Sequence, residues 1–261
     1  MNSCVKDLEE IVSKYSNKLA VYDKVNRYTF AQLRDFSQKI ATLINPDLKN
    51  QPVAVFLPKS SNAIAGFMGV LYSNNFYVPL DVKSPDVRLK KILCNLNPSI
   101  VLTDDANYGR IKKLNIKSDI ISISKVFESS FNNYYDLQKL KSIITDPIYC
   151  IYTSGTTGDP KGVLVSHLSV KNFIDWIINT FELDSETTIG SQSPFIFDVS
   201  VIDIYSMIRV GATLCLIPDS YFSFPHKLVN FLDSEKINFI TWVPSVISNI
   251  ANTDSLKEKT L

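Results

Sequence analysis

Apolar positions recur at helical spacing through Leu8, Ile11, Val12 and Tyr15, so the chain opens on an amphipathic helix that leads into a short strand at 19–22. Thr29 followed three residues later by Gln32 has the form of a capping box, and Leu33, Phe36, Ile40 and Leu43 then trace one apolar face of a second helix. After that helix the period changes. PVAVFL at 52–57 reads as a buried strand, 60–73 as a helix and FYVPLD at 76–81 as a further extended segment. Ser84-Pro85 sets the N-cap and first turn of the next helix, and SIVLT at 99–103 follows as a strand. Strands alternating with helices predict parallel pairing through crossover connections, an α/β fold.

The alternation weakens over 118–142, where FNNYYD reads as a loop, and this predicts two α/β subdomains, 1–140 and 141–261. PIYCIYTS at 147–154 restarts it as a strand. GVLVSH reads as another strand, a long helix runs through Phe173, Trp176, Ile177 and Phe181, and ATLCLIP and NFITWVP read as buried strands with helices between. The last segment fades from an apolar helix into a polar tail.

Composition narrows the partners. At 261 residues and 45% hydrophobic, the chain can bury a sizeable core. With 27 basic against 26 acidic residues and no basic run, neither a nucleic acid nor an anionic membrane surface is an expected partner. Cys4, Cys94, Cys150 and Cys215 are far apart, and the last two lie in apolar strands, which reads as reduced thiols of a cytoplasmic protein. The sequence shows no cationic leader and no apolar run of about 18 residues, so membrane insertion is not expected.

YTSGTTGDPKG at 152–162 places three of the chain's eight glycines among hydroxyls and one lysine. It can be a plain linker. A Walker-type loop needs Lys directly after Gly, then Ser or Thr, and a helix; here Lys161 lies between Pro160 and Gly162, and Val163, Leu164 and Val165 favour a strand. The remaining reading is a strand-loop-strand clamp, in which backbone N–H groups, hydroxyls and the Lys161 ammonium face an anion.

IYTSGTTGDPKGVLVSH resembles the signature of the adenylate-forming superfamily, which includes the amino-acid adenylation domains of non-ribosomal peptide synthetases, acyl-CoA synthetases and luciferases. RYTFAQL, NNFYVPLDVKSP, PFIFDVS and NFITWVPSV are similar to further core motifs of that family and occur in its order. The resemblance implies a layered αβαβα N-terminal domain, truncated before the C-terminal lid. It implies that ATP, with Mg2+, is used to make an aminoacyl-AMP with release of pyrophosphate. Transfer to the phosphopantetheine thiol of a carrier protein then follows. Carried over, the phosphate-contacting residues are Thr153, Ser154, Gly155, Thr156, Thr157, Gly158 and Lys161, with Thr153 and Lys161 in the catalytic role. No metal-ligating residue is assigned.

Asp198 lies in an otherwise apolar run, where an aspartate can cap the helix that follows. The resemblance implies another role, holding the α-ammonium of an amino-acid substrate, with Val199, Ile202 and Thr241 lining a pocket for a small or apolar side chain. The wording QSPFIFDVSVIDIY looks especially like the stand-alone D-alanine to carrier-protein ligases. Asp203 reads as a solvated helix position and His167 as a residue that opens a helix. An acyl- or aryl-CoA synthetase stays open, as does a non-catalytic nucleotide-binding module. The chain resembles the first half of a longer enzyme, so by itself it is expected to adenylate poorly or not at all.

Overall fold

The computed structural model describes residues 3–128, 135–154 and 159–253, and within them two mainly parallel sheets are layered with helices. Helix α1 (Cys4–Tyr15) turns Cys4, Val5, Leu8, Ile11 and Val12 inward, as its spacing predicts. Strands β1 (Leu19–Tyr22) and β2 (Arg27–Thr29) then form an antiparallel pair. The capping box at the start of α2 (Phe30–Leu43) is complete: the Gln32 backbone N–H donates to Thr29 Oγ1 at 3.2 Å, and the Thr29 N–H donates back to Gln32 Oε1 at 2.9 Å.

The chain next builds a sheet of six described strands. Strand β3 (Pro52–Phe56), helix α3 (Ser61–Tyr72), strand β4 (Phe76–Leu80), helix α4 (Asp86–Leu96), strand β5 (Ile100–Thr103), helix α5 (Asp105–Lys113) and strand β6 (Asp119–Ser122) follow in crossover order. Strands β7 (Pro147–Ser154) and β8 (Pro160–Ser166) close it as an antiparallel hairpin, giving the spatial order β6-β5-β3-β4-β7-β8. Helix α6 (His167–Phe181), strand β9 (Thr188–Ser191), helix α7 (Ser200–Val210), strand β10 (Thr213–Leu216), helix α8 (Pro225–Ser234), strand β11 (Phe239–Ile240) and helix α9 (Pro244–Ala251) complete the order. Three of these strands return to β1, in the order β11-β9-β10-β1-β2. Layered α/β architecture is therefore what the alternation encodes.

Helix α3 shows how the layers meet. Nearly every side chain from Ser61 to Tyr72 is buried, because the helix is apolar all round and has no solvated face to offer. It lies against α2 at a crossing that needs glycine: a Cβ at Gly69 would stand 2.7 Å from Ile40 and 2.9 Å from the Ser37 carbonyl oxygen. One apolar cluster unites α1, α2, α3, α6 and α7 with strands of both sheets. The central helices thus bind the sheets into one interior.

The structure departs from the sequence expectations in several places. The N-cap of α4 falls on Pro85, one residue later than expected, with no side-chain cap bond. Within 118–142 an edge strand, β6, extends the six-stranded sheet beside β5. NFITWVP yields only the two residues of β11, half-buried to exposed, because this edge strand pairs with β9 alone among the described residues and Pro244 starts a helix soon after. Asp203, expected on a solvated face, is fully buried. Most of FNNYYD and of the polar tail lies outside the described residues. Cys4, Cys150 and Cys215 are buried free thiols, as composition suggested for reduced cysteines, whereas Cys94 is exposed.

Candidate active site

The β7–β8 hairpin carries the first group of expected site residues. Alternation puts Tyr149, Ile151 and Thr153 on one face of β7, and the register sets Thr153 opposite Lys161 and Tyr152 opposite Gly162. Thr153 and Lys161 are both exposed at the end of the hairpin. Ser154 ends β7 opposite Pro160; Gly155, Thr156, Thr157 and Gly158 lie outside the described residues. Two contacts hold the hairpin to α4: the Tyr152 hydroxyl donates to Asn95 Oδ1 at 2.7 Å, and Lys91 pairs with Asp159 at 3.2 Å. Gly162 is fixed by close approach, since a Cβ there would meet Cys150 Sγ at 2.7 Å.

The second group surrounds a cavity of about 300 Å³ below the hairpin. Asp198, Val199 and Ile202 line it together with Tyr149 and Val165, which are register partners on β7 and β8, and Phe173 of α6. Strand rise puts Thr153 roughly 13 Å beyond Tyr149 on the same face. One hairpin thereby forms a wall of the cavity and carries the phosphate-clamp candidates at its far end.

Asp198 does not cap the helix. The N-cap position of α7 is Val199, with no side-chain cap bond, and Asp198 is exposed at the cavity rather than buried. Among the described residues its carboxylate has no hydrogen-bond or ion-pair partner. Its charge still reaches Tyr149, whose phenol is pushed up to about 12 chiefly by burial and secondarily by Asp198. Sequence reasoning missed Tyr149. The signal was available, because a two-residue period places it on the face of Thr153.

Thr241 stands outside that cavity's lining and donates from Oγ1 to Asp203 Oδ1 at 2.8 Å. Burial pushes the Asp203 carboxyl up to about 6, opposed by Thr241, Ser191 and the charge of Lys59. Lys59, also missed, reaches from the end of β3 to donate to the Ser191 and Gln192 carbonyls at 2.9 and 2.8 Å. It lines a larger cavity, of about 530 Å³, together with Asp81, Lys83, Asp104, Pro194 and Asp219. These residues follow the carboxyl ends of β3, β4 and β5 in one sheet and of β9 and β10 in the other, the strand ends beyond which α/β ligand sites form. His167 does open α6, but as a buried acceptor: the Cys4 backbone N–H donates to its Nδ1 at 3.3 Å.

A family model described as AMP-binding enzyme matches residues 8–261. The chain belongs to the AMP-binding enzyme family. Among its relatives, Zwittermicin A synthase ZmaJ of Bacillus cereus is 29% identical over 95% of this chain and 47% of its own length. A D-alanine–D-alanyl carrier protein ligase of Staphylococcus haemolyticus is 29% identical over 99% of this chain and 51% of its own. The chain spans about half the length of these curated relatives. Among solved structures, the non-ribosomal peptide synthetase FmoA3 in its α-methyl-L-serine-AMP-bound form superposes with a TM-score of 0.85 at 22% identity, covering 99% of this chain and 28% of that one. The adenylate-forming resemblance and the layered fold are both borne out. No helix among the described residues is long and apolar enough to cross a membrane.

Proposed function

We propose that this AMP-binding family chain supplies the phosphate clamp and the amino-acid cavity of an enzyme that converts an amino acid and ATP to aminoacyl-AMP and pyrophosphate. The thiol of a carrier protein's phosphopantetheine then takes the aminoacyl group as a thioester, and AMP leaves. One observation carries the reading: Asp198, a carboxylate with no partner among the described residues, stands at an apolar cavity whose wall is the hairpin bearing Thr153 and Lys161. An α-ammonium is the complement of that carboxylate, and Val199 and Ile202 beside it suit a small apolar side chain such as that of D-alanine. The name of the D-alanine–D-alanyl carrier protein ligase relative supports the same substrate class.

In this reading Asp198 orients the amino acid by its amine, which leaves the carboxylate free to attack the α-phosphorus of ATP. Attack brings two anions together and pyrophosphate leaves with more charge, so donors at the hairpin end are needed most as the leaving group forms. Thr153, Ser154 and Lys161, with the Gly155, Thr156, Thr157 and Gly158 segment between them, are assigned that role. Each hydrogen bond to an ionised phosphate oxygen contributes about 1.5–3 kcal/mol. Among the described residues no cluster of three or more His, Cys, Asp or Glu side chains could hold a metal. Mg2+ bound to the phosphates of the nucleotide would share the charge of the departing pyrophosphate.

The test is pyrophosphate exchange by the full-length protein across a panel of amino acids with both alanine enantiomers, beside carboxylic acids of matching size without an amine. Exchange driven by a small amino acid is the expected result. Exchange driven only by acids lacking an amine would favour an acyl-CoA synthetase and remove the role of Asp198.

A further inference from the structure

We propose that Lys59 is a positioning residue for the amino-acid cavity, its ammonium holding the start of the loop that presents Asp198 and Val199. The inference rests on the adenylating role assigned above to that cavity.

Asp198 has no side-chain partner among the described residues, so the place of its carboxylate is decided by the backbone of 192–199. That segment begins where β9 ends, and there Lys59 donates to the carbonyl oxygens of Ser191 at 2.9 Å and Gln192 at 2.8 Å. These bonds cross between the sheets, from the loop after β3 to the strand end in the other sheet. Two charged hydrogen bonds on adjacent carbonyls leave the loop little freedom to swing. Phe195, midway along, is buried edge-to-face on Phe67 of α3 at 5.5 Å. The far end enters α7, where buried Asp203 attracts the same ammonium and accepts the Thr241 hydroxyl. Among the described residues Gln192 Oε1 and Asp203 Oδ2 are buried acceptors without hydrogen-bond partners, and neither can donate to the two carbonyls in the lysine's place.

The geometry also gives the cavity a pH dependence. Burial lowers the Lys59 ammonium to about 8; the charges of Asp203 on α7 and Asp219 after β10 and, less, the Cys215 thiol on β10 oppose this, and the charge of Lys83 after β4 adds to it. Above that pH the two carbonyls lose their charged donor.

The experiment compares Lys59→Met and Lys59→Arg with the wild type in the full-length protein. In pyrophosphate exchange, Lys59→Met raises the KM for the amino acid by about tenfold or more while the KM for ATP stays within about twofold. Lys59→Arg restores most of the loss. Wild-type amino-acid KM begins to climb at about pH 8, below the range in which the substrate's own α-ammonium deprotonates, and Lys59→Arg removes that early climb, since its guanidinium stays charged. Amide hydrogen exchange over 192–199 provides a readout independent of activity: it quickens about tenfold in Lys59→Met and returns toward wild type in Lys59→Arg. Unchanged exchange in that segment, or equal changes in both KM values with an unaltered pH profile, overturns the positioning role whatever the reaction. Should Lys59→Met fail to fold, the pH series on wild type and Lys59→Arg decides alone. Wild-type protein without amino-acid-driven turnover, beside a Lys59→Met protein that shows the hydrogen-exchange effect, would overturn the functional reading and leave Lys59 as the loop's clamp.

Discussion

Thr153 and Lys161 face each other directly across the β7–β8 hairpin, with Thr153 Oγ1 3.5 Å from the Lys161 carbonyl oxygen. Antiparallel pairing holds both backbones in one register, so the hydroxyl and the ammonium are delivered to the same end of the hairpin. If that end grips the triphosphate, Lys161→Ala in the full-length protein lowers kcat/KM for ATP by about 10- to 100-fold, and Thr153→Ala by less, because a charged donor contributes more than a neutral one. Steady-state exchange at varied ATP measures both. Wild-type kinetics in Lys161→Ala would take the hairpin out of the reaction.

Gly162 makes a prediction about stability. A Cβ at this position would come within 2.7 Å of Cys150 Sγ and 3.3 Å of the Tyr152 ring. Gly162→Ala therefore costs about 1–3 kcal/mol through overpacking. Cys150→Ala removes the nearest atom, so adding the Gly162 change in that background costs less than half as much. Urea unfolding of the four proteins in the cycle measures the difference; equal costs in both backgrounds would show that the sulfur is not the obstacle.

His167 predicts a loss of stability in mild acid. It is buried and neutral, its pKa lowered from 6.5 to about 4 chiefly by burial, with Lys171 adding to the shift and Asp146 opposing it. Below about pH 6.5 the unfolded chain takes up a proton that the folded chain refuses until about pH 4, so stability falls as the pH drops through that window. The full effect is up to about 3 kcal/mol. His167→Gln keeps an acceptor for the Cys4 N–H without a titrating ring, so the stability difference between variant and wild type should change by this amount between pH 7.5 and 4 in urea titrations. A constant difference would show that the ring is protonated in the folded protein.

Where the sequence was legible, one period or one capping pair decided the element. The spacing of Leu8, Ile11 and Val12 and the Thr29–Gln32 pair specify α1 and α2 without help from distant residues. Strand β6 escaped notice because it lies at an edge and buries none of its four residues fully, so its pattern is weak. Helix α5 has a single buried residue, Ile111, and its clearest sign is a local bond from the Asn107 N–H to the Asp104 carboxylate. Asp203 misled for the opposite reason. A lone acid in a helix ordinarily faces water, but α7 buries Val201, Ile204, Tyr205, Met207 and Ile208 around its whole circumference and has little solvated side to give. The contacts of Lys59 join residues more than 130 positions apart, and no local pattern encodes them.

Assignment of the cavity to an amine-bearing substrate turns on the carboxylate of Asp198. Amino-acid and ATP dependence of pyrophosphate exchange, measured for wild type and Asp198→Asn in the full-length protein, addresses it directly. Losing an ion pair to the α-ammonium should raise the amino-acid KM by about 100-fold, or abolish exchange, while the KM for ATP stays close to wild type. An Asp198→Asn enzyme with unaltered amino-acid KM and full exchange would contradict the assignment of this cavity to an amine-bearing substrate.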